Sequence, residues 1–166
     1  NALVTLDVTP AQMTWQAGID VLSFGGTKNG CLAAEAVVFF RPELVGDFPF
    51  LQKRAGQLLS KSRFISSQFA GYLKDGTWLR NARQANAMAQ RLSKGLAALP
   101  GIELAYPTQS NEVFVSMPAV LIERLSAQGL SVNDEELDGK AVRFVAAWNT
   151  PESQVDDLLK VLADHC

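Results

Sequence analysis

Segments with helical periodicity alternate with short apolar segments typical of strands along the whole chain, and this alternation narrows the fold more than any other feature. Glycine and proline pairs such as Pro100-Gly101 separate the segments, and Asp138-Gly139 predicts a hairpin-type turn. Strands are predicted at 20–24, 35–40, 102–105, 112–117 and 141–147, and helices at 42–73, 79–99, 118–128 and from Pro151 onward. This order predicts an α/β chain.

The strand patterns of the two halves differ, which predicts two domains. The strand at 35–40 reads Glu-Ala-Val-Val-Phe-Phe and is apolar on both faces, as expected for the edge of a larger parallel sheet that is covered on both sides. The later segments predict a small α+β domain, in which helices cover one side of a sheet. We therefore expect residues 1–78 to be the C-terminal remainder of a large domain and residues 79–166 to be a small C-terminal domain.

Composition and charge argue against several classes of function. The 166 residues include 15 basic and 17 acidic side chains, a net charge of −2, which disfavours a nucleic-acid partner bound through phosphates. No apolar run approaches the ~18 residues of a membrane span, and no signal-peptide pattern begins the chain, so we expect a cytoplasmic protein without a membrane partner. Cys31 and Cys166 are far apart and His165 is the only histidine, a pattern that favours neither a metal site nor a histidine-based triad.

A glycine-rich loop with one lysine, Gly25-Gly-Thr-Lys-Asn-Gly30, lies between the first two predicted strands. We call residues 25–34 the lysine loop. Gly25 and Gly30 have the spacing of a phosphate-binding loop, but Cys31-Leu32 follows where Lys-Ser or Lys-Thr is required. The dinucleotide pattern GxGxxG also fails, because position 27 is threonine. The loop therefore does not match either nucleotide-binding motif.

Two interpretations of Lys28 remain open from the residues alone. It is a solvated turn lysine, or it is an amine that an apolar loop keeps neutral and able to attack a carbonyl to form a Schiff base. In the second interpretation the glycines let the backbone approach a flat cofactor, and Thr27 offers a hydroxyl and an amide N–H to its phosphate.

Arg143 interrupts the apolar pattern of the last predicted strand. Because side chains alternate along a strand, Arg143 lies on the face opposite to Val142 and Phe144. An arginine among apolar neighbours is costly to bury unless it is paired. It is therefore either an edge-strand arginine that reaches water or a bidentate site for a carboxylate.

Several segments together resemble the low-specificity L-threonine aldolases, which belong to the fold type I pyridoxal 5'-phosphate enzymes. The matching segments run in the family's order: Asn1-Ala-Leu-Val4, Thr14-Trp-Gln-Ala-Gly-Ile-Asp20, Ser23-Phe-Gly-Gly-Thr-Lys-Asn-Gly30 with Glu35-Ala-Val-Val-Phe-Phe40, Lys53-Arg-Ala-Gly-Gln-Leu-Leu-Ser-Lys61, and Val142-Arg-Phe-Val-Ala-Ala-Trp-Asn-Thr150. The resemblance implies that Lys28 forms the Schiff base with the cofactor and that Arg143 binds the substrate α-carboxylate.

The same resemblance implies a reaction and an assembly. The reaction is retro-aldol cleavage of threonine to glycine and acetaldehyde, in a homo-oligomer whose subunits share active sites. Lys53, Arg54, Lys61 and Arg63 either form a solvated helix face or include one or two residues that face such a site. In this family the partners of the cofactor ring and most of the phosphate-binding loops precede the lysine segment, so we expect this chain to be the C-terminal half of the enzyme and inactive alone.

Two alternatives to the aldolase remain. Another fold type I enzyme, a β-eliminating lyase or an aminotransferase, shares the lysine and the arginine but breaks a different bond. A non-catalytic α/β interaction domain uses the glycine loop only as a turn.

Overall fold

The structure, a computed structural model, describes residues 1–127, 129 and 141–165. Its helices and strands are, in chain order, α1 (Ala2–Leu6), α2 (Pro10–Met13), β1 (Val21–Gly25), β2 (Glu35–Phe39), α3 (Phe48–Arg54), α4 (Arg63–Leu73), α5 (Thr77–Leu96), β3 (Glu103–Leu104), β4 (Glu112–Ser116), α6 (Ala119–Ala127), β5 (Val142–Val145) and α7 (Glu152–Ala163). The turn predicted at Asp138-Gly139 lies outside the described residues. Among the described residues, no helix combines the length and the apolar character that a membrane crossing requires.

The chain forms two compact units. The first, which we call the core unit, comprises Asn1–Thr5 and Ala82–Cys166, and the second, the lysine unit, comprises Leu6–Asn81. The assignment of residues 1–78 to a larger domain of a whole protein, and of 79–166 to its small domain, stays a prediction.

The core unit is built on one antiparallel sheet with strand order β3-β4-β5. Val113 and Val115 lie on one face of β4 and are fully buried, whereas Glu112 and Phe114 lie on the other face and are partly exposed. Side chains of α5, α6 and α7 pack with the two valines in one hydrophobic cluster. The prediction of a sheet covered by helices on one side is therefore confirmed for the described residues.

Helices α5 and α7 approach each other closely at Gly95. A Cβ atom at this position would lie 2.3 Å from Leu159 Cδ1, so a larger residue forces Leu159 to move. The same two helices are joined by a bidentate ion pair, in which Arg91 Nε lies 2.7 Å from Asp156 Oδ1 and Arg91 Nη2 lies 2.9 Å from Asp156 Oδ2. The hydrogen bonds from Arg91 lower the pKa of the Asp156 carboxyl below its ordinary value.

Gly95→Ala tests this close contact. Alanine is normally better than glycine inside a helix by about 1 kcal/mol, but here we expect a net loss of ~1–2 kcal/mol of unfolding free energy because the new methyl group overlaps Leu159. Chemical denaturation of the full-length protein measures the change. Adding Leu159→Ala should make the Gly95→Ala substitution neutral or favourable, and a stabilising effect of Gly95→Ala alone would show that the helices are not in contact here.

The lysine unit contains a two-stranded sheet in which β1 and β2 are antiparallel, with Val21 opposite Phe39 and Gly25 opposite Glu35. The predicted parallel arrangement is wrong for this pair. Parallel pairing of consecutive strands needs a crossover of about a dozen residues or more, and residues 26–34 are too few to supply one.

Two expectations concern the strands and helices of the lysine unit. Outward-facing strand residues such as Val37 are 44% exposed in this chain, and cover on both sides stays a prediction for the larger domain. The helical segments predicted within 42–73 are α3 and α4, and they are separated after Gly56, which adopts a left-handed conformation with φ 71° just after α3. Thr9 and Gln12 form a capping box at the start of α2, because the threonine hydroxyl and the glutamine side chain each bind the other's backbone.

Candidate active site

Backbone hydrogen bonds close the lysine loop against itself. The Gly26 N–H donates to the Ala34 carbonyl at 2.8 Å, and the Cys31 N–H donates to the Gly26 carbonyl at 3.0 Å. The Thr27 hydroxyl accepts from the Ala34 N–H at 3.1 Å. Gly30 completes the turn at φ 118°, a conformation that favours glycine. The Thr27 side chain therefore has a structural bond within the loop.

Lys28 lies in the middle of a single 3-10 turn, Thr27–Asn29, and its side chain is exposed. The surroundings expected from sequence, an apolar pocket that desolvates the amine, are thus not provided by the described residues of this chain. What the loop does provide is a fixed backbone with a lysine projecting from it.

The few buried residues of the lysine unit all lie in this loop or against it. Of residues 6–81, all of which the structure describes, Gly26, Ala34 and Tyr72 are buried, and the hydroxyl of Tyr72 contacts the loop through Asn29. Large apolar side chains elsewhere in the unit are exposed, including Leu32 at 89% and Phe50 at 76%. The best-packed part of the lysine unit is therefore the base of the lysine loop.

Gly26→Ala tests the packing at that base. A Cβ atom on Gly26 would lie 2.7 Å from Cys31 Sγ and 3.4 Å from the Ala34 carbonyl oxygen, so we expect a loss of ~1–3 kcal/mol in unfolding free energy. Gly25→Ala is the matched control, because the three heavy atoms nearest its Cβ would all belong to the carboxylate of the exposed Glu35. Equal thermal midpoints for the two variants would argue against the close packing at Gly26.

Gln68 of α4 binds the second half of the lysine loop. Its Oε1 accepts from the N–H groups of Leu32 at 2.9 Å and Ala33 at 3.1 Å, while its Nε2 donates to the Ala33 carbonyl at 3.3 Å. Both ends of one amide side chain thus bind the loop backbone.

Asn29, the residue next to Lys28, is bound from α4 and α5. Its Nδ2 donates to the Tyr72 hydroxyl at 2.6 Å and to the Trp78 carbonyl at 2.9 Å, and its own carbonyl accepts from Asn81 Nδ2 at 2.7 Å. Burial is the main cause that raises the pKa of Tyr72 above its ordinary value, so its oxygen accepts this hydrogen bond as a neutral phenol.

Arg143 lies on β5, an outer strand of the sheet that the described residues of the core unit form, opposite Phe114 of β4. Its side chain is 26% exposed, and its Nη1 lies 3.3 Å from Glu112 Oε1, on the neighbouring strand and the same face of the sheet. Arg143 is thus partly buried and ion-paired within the sheet. Lys28 and Arg143 belong to different units, while Lys53, Arg54, Lys61 and Arg63 are all exposed residues of the lysine unit.

Sequence reasoning missed the residues that bind the lysine loop and the Arg143 side chain. Asn29 adjoins Lys28 in the loop, and this proximity is a signal that could have been used. Glu112 is an acidic residue at a strand position next to the predicted arginine strand, which is a weaker signal. Gln68 and Asn81 give no signal in the sequence, because amides on helices are ordinary surface residues.

Comparison with known proteins gives consistent matches. The family model described as beta-eliminating lyase matches residues 1–119. The chain is 47% identical over 158 residues to a low specificity L-threonine aldolase of a Pseudomonas species, a match that covers 95% of this chain and 45% of that protein. It is 41% identical over 160 residues to the low specificity L-threonine aldolase of Pseudomonas aeruginosa, with coverage of 96% and 46%.

A solved structure agrees with these matches. The threonine aldolase of Leishmania major superposes with a TM-score of 0.79 at 28% sequence identity, over 89% of this chain and 43% of that one. The chain therefore spans slightly less than half the length of the curated relatives that it matches.

Proposed function

Since this chain belongs to the beta-eliminating lyase family and has the architecture of the C-terminal part of a fold type I enzyme, we propose that it forms part of a pyridoxal-phosphate-dependent aldolase that cleaves L-threonine and L-allo-threonine to glycine and acetaldehyde. The observation that carries this proposal is the continuous match, at 47% and 41% identity, to two low specificity L-threonine aldolases over nearly the whole chain. The resemblance inferred from sequence is thereby confirmed at the level of the family.

The residues of the lysine loop fit this cofactor. A primary amine projects from a turn whose backbone is fixed on both sides, and Gly26 is packed so closely that a Cβ atom has no room. An exposed amine on a fixed backbone suits condensation with the aldehyde of pyridoxal phosphate. We propose that Lys28 Nζ would hold the cofactor and that Thr27 would contact it. When bound, the cofactor supplies the electron sink that stabilises the carbanion formed by Cα–Cβ cleavage.

Arg143 is proposed to bind the α-carboxylate of the substrate. Its guanidinium presents N–H donors in a planar fork that matches a carboxylate, and Glu112 already holds one of these nitrogens in the sheet. Fixing the carboxylate orients the Cα–Cβ bond of the bound amino acid. This orientation lowers the barrier for cleavage of that bond relative to the other bonds at Cα. We further propose that the whole protein works as a cytoplasmic homo-oligomer on small amino acids.

The direct test measures products of the full-length protein supplied with pyridoxal phosphate and L-threonine. We expect equal amounts of glycine and acetaldehyde, the aldehyde being followed with an alcohol dehydrogenase and NADH. Release of both ammonia and a 2-oxo acid without aldehyde would favour elimination. A 2-oxo acid formed without ammonia or aldehyde would favour amino transfer, in which the amino group passes to the cofactor. Absence of all these reactions, together with no binding of pyridoxal phosphate, would favour a non-catalytic interaction domain.

A further inference from the structure

The residue after Lys28 is bound by more long-range side-chain hydrogen bonds than any proposed site residue of the lysine loop. Asn29 uses its side-chain amide to bind Tyr72 and the Trp78 carbonyl, and its backbone carbonyl binds Asn81. Tyr72 belongs to α4 and Asn81 to the first turns of α5, so two helices converge on a single residue of the loop. A solvated turn lysine needs no such neighbour.

The chemistry of the partners fixes the orientation of both amides. The Trp78 carbonyl and the Asn29 carbonyl are acceptors only, so the atoms that face them are the donors Nδ2 of Asn29 and Nδ2 of Asn81. Neither amide retains these bonds when it is flipped. The donors and acceptors of this network can therefore be assigned in only one way.

Aromatic side chains pack around Tyr72 and support the network. Phe24 of β1 lies with its ring centroid 5.7 Å from Phe69, 6.2 Å from Tyr72 and 6.0 Å from Trp78. These rings pack against one another and restrict the phenol that accepts from Asn29. Packing thus supports the hydrogen bonds, and Asn29 is partly buried between them.

We propose that Asn81, acting through Asn29, is a positioning residue for Lys28: together they fix the backbone on the C-terminal side of the cofactor-binding lysine while Thr27 and Ala34 fix the N-terminal side. This inference rests on the proposed role of Lys28. A flexible four-carbon side chain on a fixed backbone searches less space than one on a loose loop, so the amine reaches the cofactor aldehyde at a lower entropic cost.

Asn81→Asp tests the bond without changing the shape of the side chain, because it removes the donor and leaves an acceptor against the Asn29 carbonyl. In the full-length protein we expect pyridoxal phosphate to bind about fivefold more weakly, the effect of losing one hydrogen bond, as measured by quenching of protein fluorescence. Asn81→Ala should show a similar loss. Arg83→Ala, an exposed substitution on the same helix, is the matched control and should bind as the wild type does.

Measuring the effect of Asn81→Asp in the Lys28→Ala variant separates a positioning role from a general loss of structure. In Lys28→Ala protein, Asn81→Asp should leave the affinity for pyridoxal phosphate unchanged, because the effect acts through the missing lysine. An equal loss in both backgrounds would overturn the inference in favour of a structural role, and so would wild-type affinity of Asn81→Asp. If Lys28→Ala itself leaves borohydride-stable attachment of the cofactor intact, the proposed role of Lys28 fails, which is a different outcome.

Discussion

Full-length protein carrying Lys28→Ala should lose threonine cleavage by on the order of 10³-fold or more, and borohydride should no longer fix pyridoxal phosphate to it. The reason is that alanine has no amine to condense with the cofactor aldehyde or to carry a proton next to it. Acetaldehyde release measures the first effect, and mass spectrometry of the borohydride-treated peptides measures the second.

Lys28→Arg is the control for charge, because it keeps a cation at this exposed position but cannot form the same linkage under ordinary conditions. It should resemble Lys28→Ala in activity, while both keep the thermal midpoint of the protein without cofactor near that of the wild type, since the Lys28 side chain is exposed. Attachment of the cofactor to another lysine, with activity retained, would refute the assignment of Lys28.

The second large effect is expected at Arg143. Arg143→Ala should lower kcat/KM for threonine by about 100-fold, mainly through a higher KM, because the substrate carboxylate loses a charged hydrogen-bonding partner. Arg143→Lys should recover only part of this loss, since an ammonium group lacks the planar fork that binds both carboxylate oxygens. Steady-state kinetics of acetaldehyde release separates KM from kcat.

Arg91→Ala provides the comparison for Arg143. Arg91 is also an ion-paired arginine of the core unit, bound to Asp156, but it lies on α5 rather than in the sheet. It should change KM little. A similar rise of KM in both variants, or none in Arg143→Ala, would show that Arg143 does not bind the substrate.

Local signals in the sequence predicted much of the fold. The capping box of Thr9 and Gln12 was predictable because its partners are three residues apart, and the break at Asp75-Gly76 was predictable because these residues favour left-handed backbone, which Asp75 adopts at φ 52°. The predicted parallel arrangement of β1 and β2 was wrong. The apolar pattern of a strand indicates its burial, whereas the length of the connection between two strands indicates whether they can pair in parallel.

Only the proposed reacting groups of the candidate site were predictable from the sequence. Lys28 stands out between glycines and Arg143 stands out in an apolar strand, whereas the amides that hold the lysine loop come from α4 and α5, distant in the sequence. Gln68 and Asn81 acquire their roles from the fold, because helix packing alone brings them to the loop. Chemistry that depends on such contacts requires the structure.

Differences in burial between the units have a consequence for how readily each opens. Leu96, Val113 and Leu162 of the core unit are fully buried, whereas among residues 6–81 of the lysine unit only Gly26, Ala34 and Tyr72 are buried. Local unfolding follows buried apolar contacts, so we expect the segment bearing Lys28 to open, in this chain, at a lower free energy than the sheet bearing Arg143. A ligand that binds only the closed lysine loop would add its binding free energy to the stability of the lysine unit.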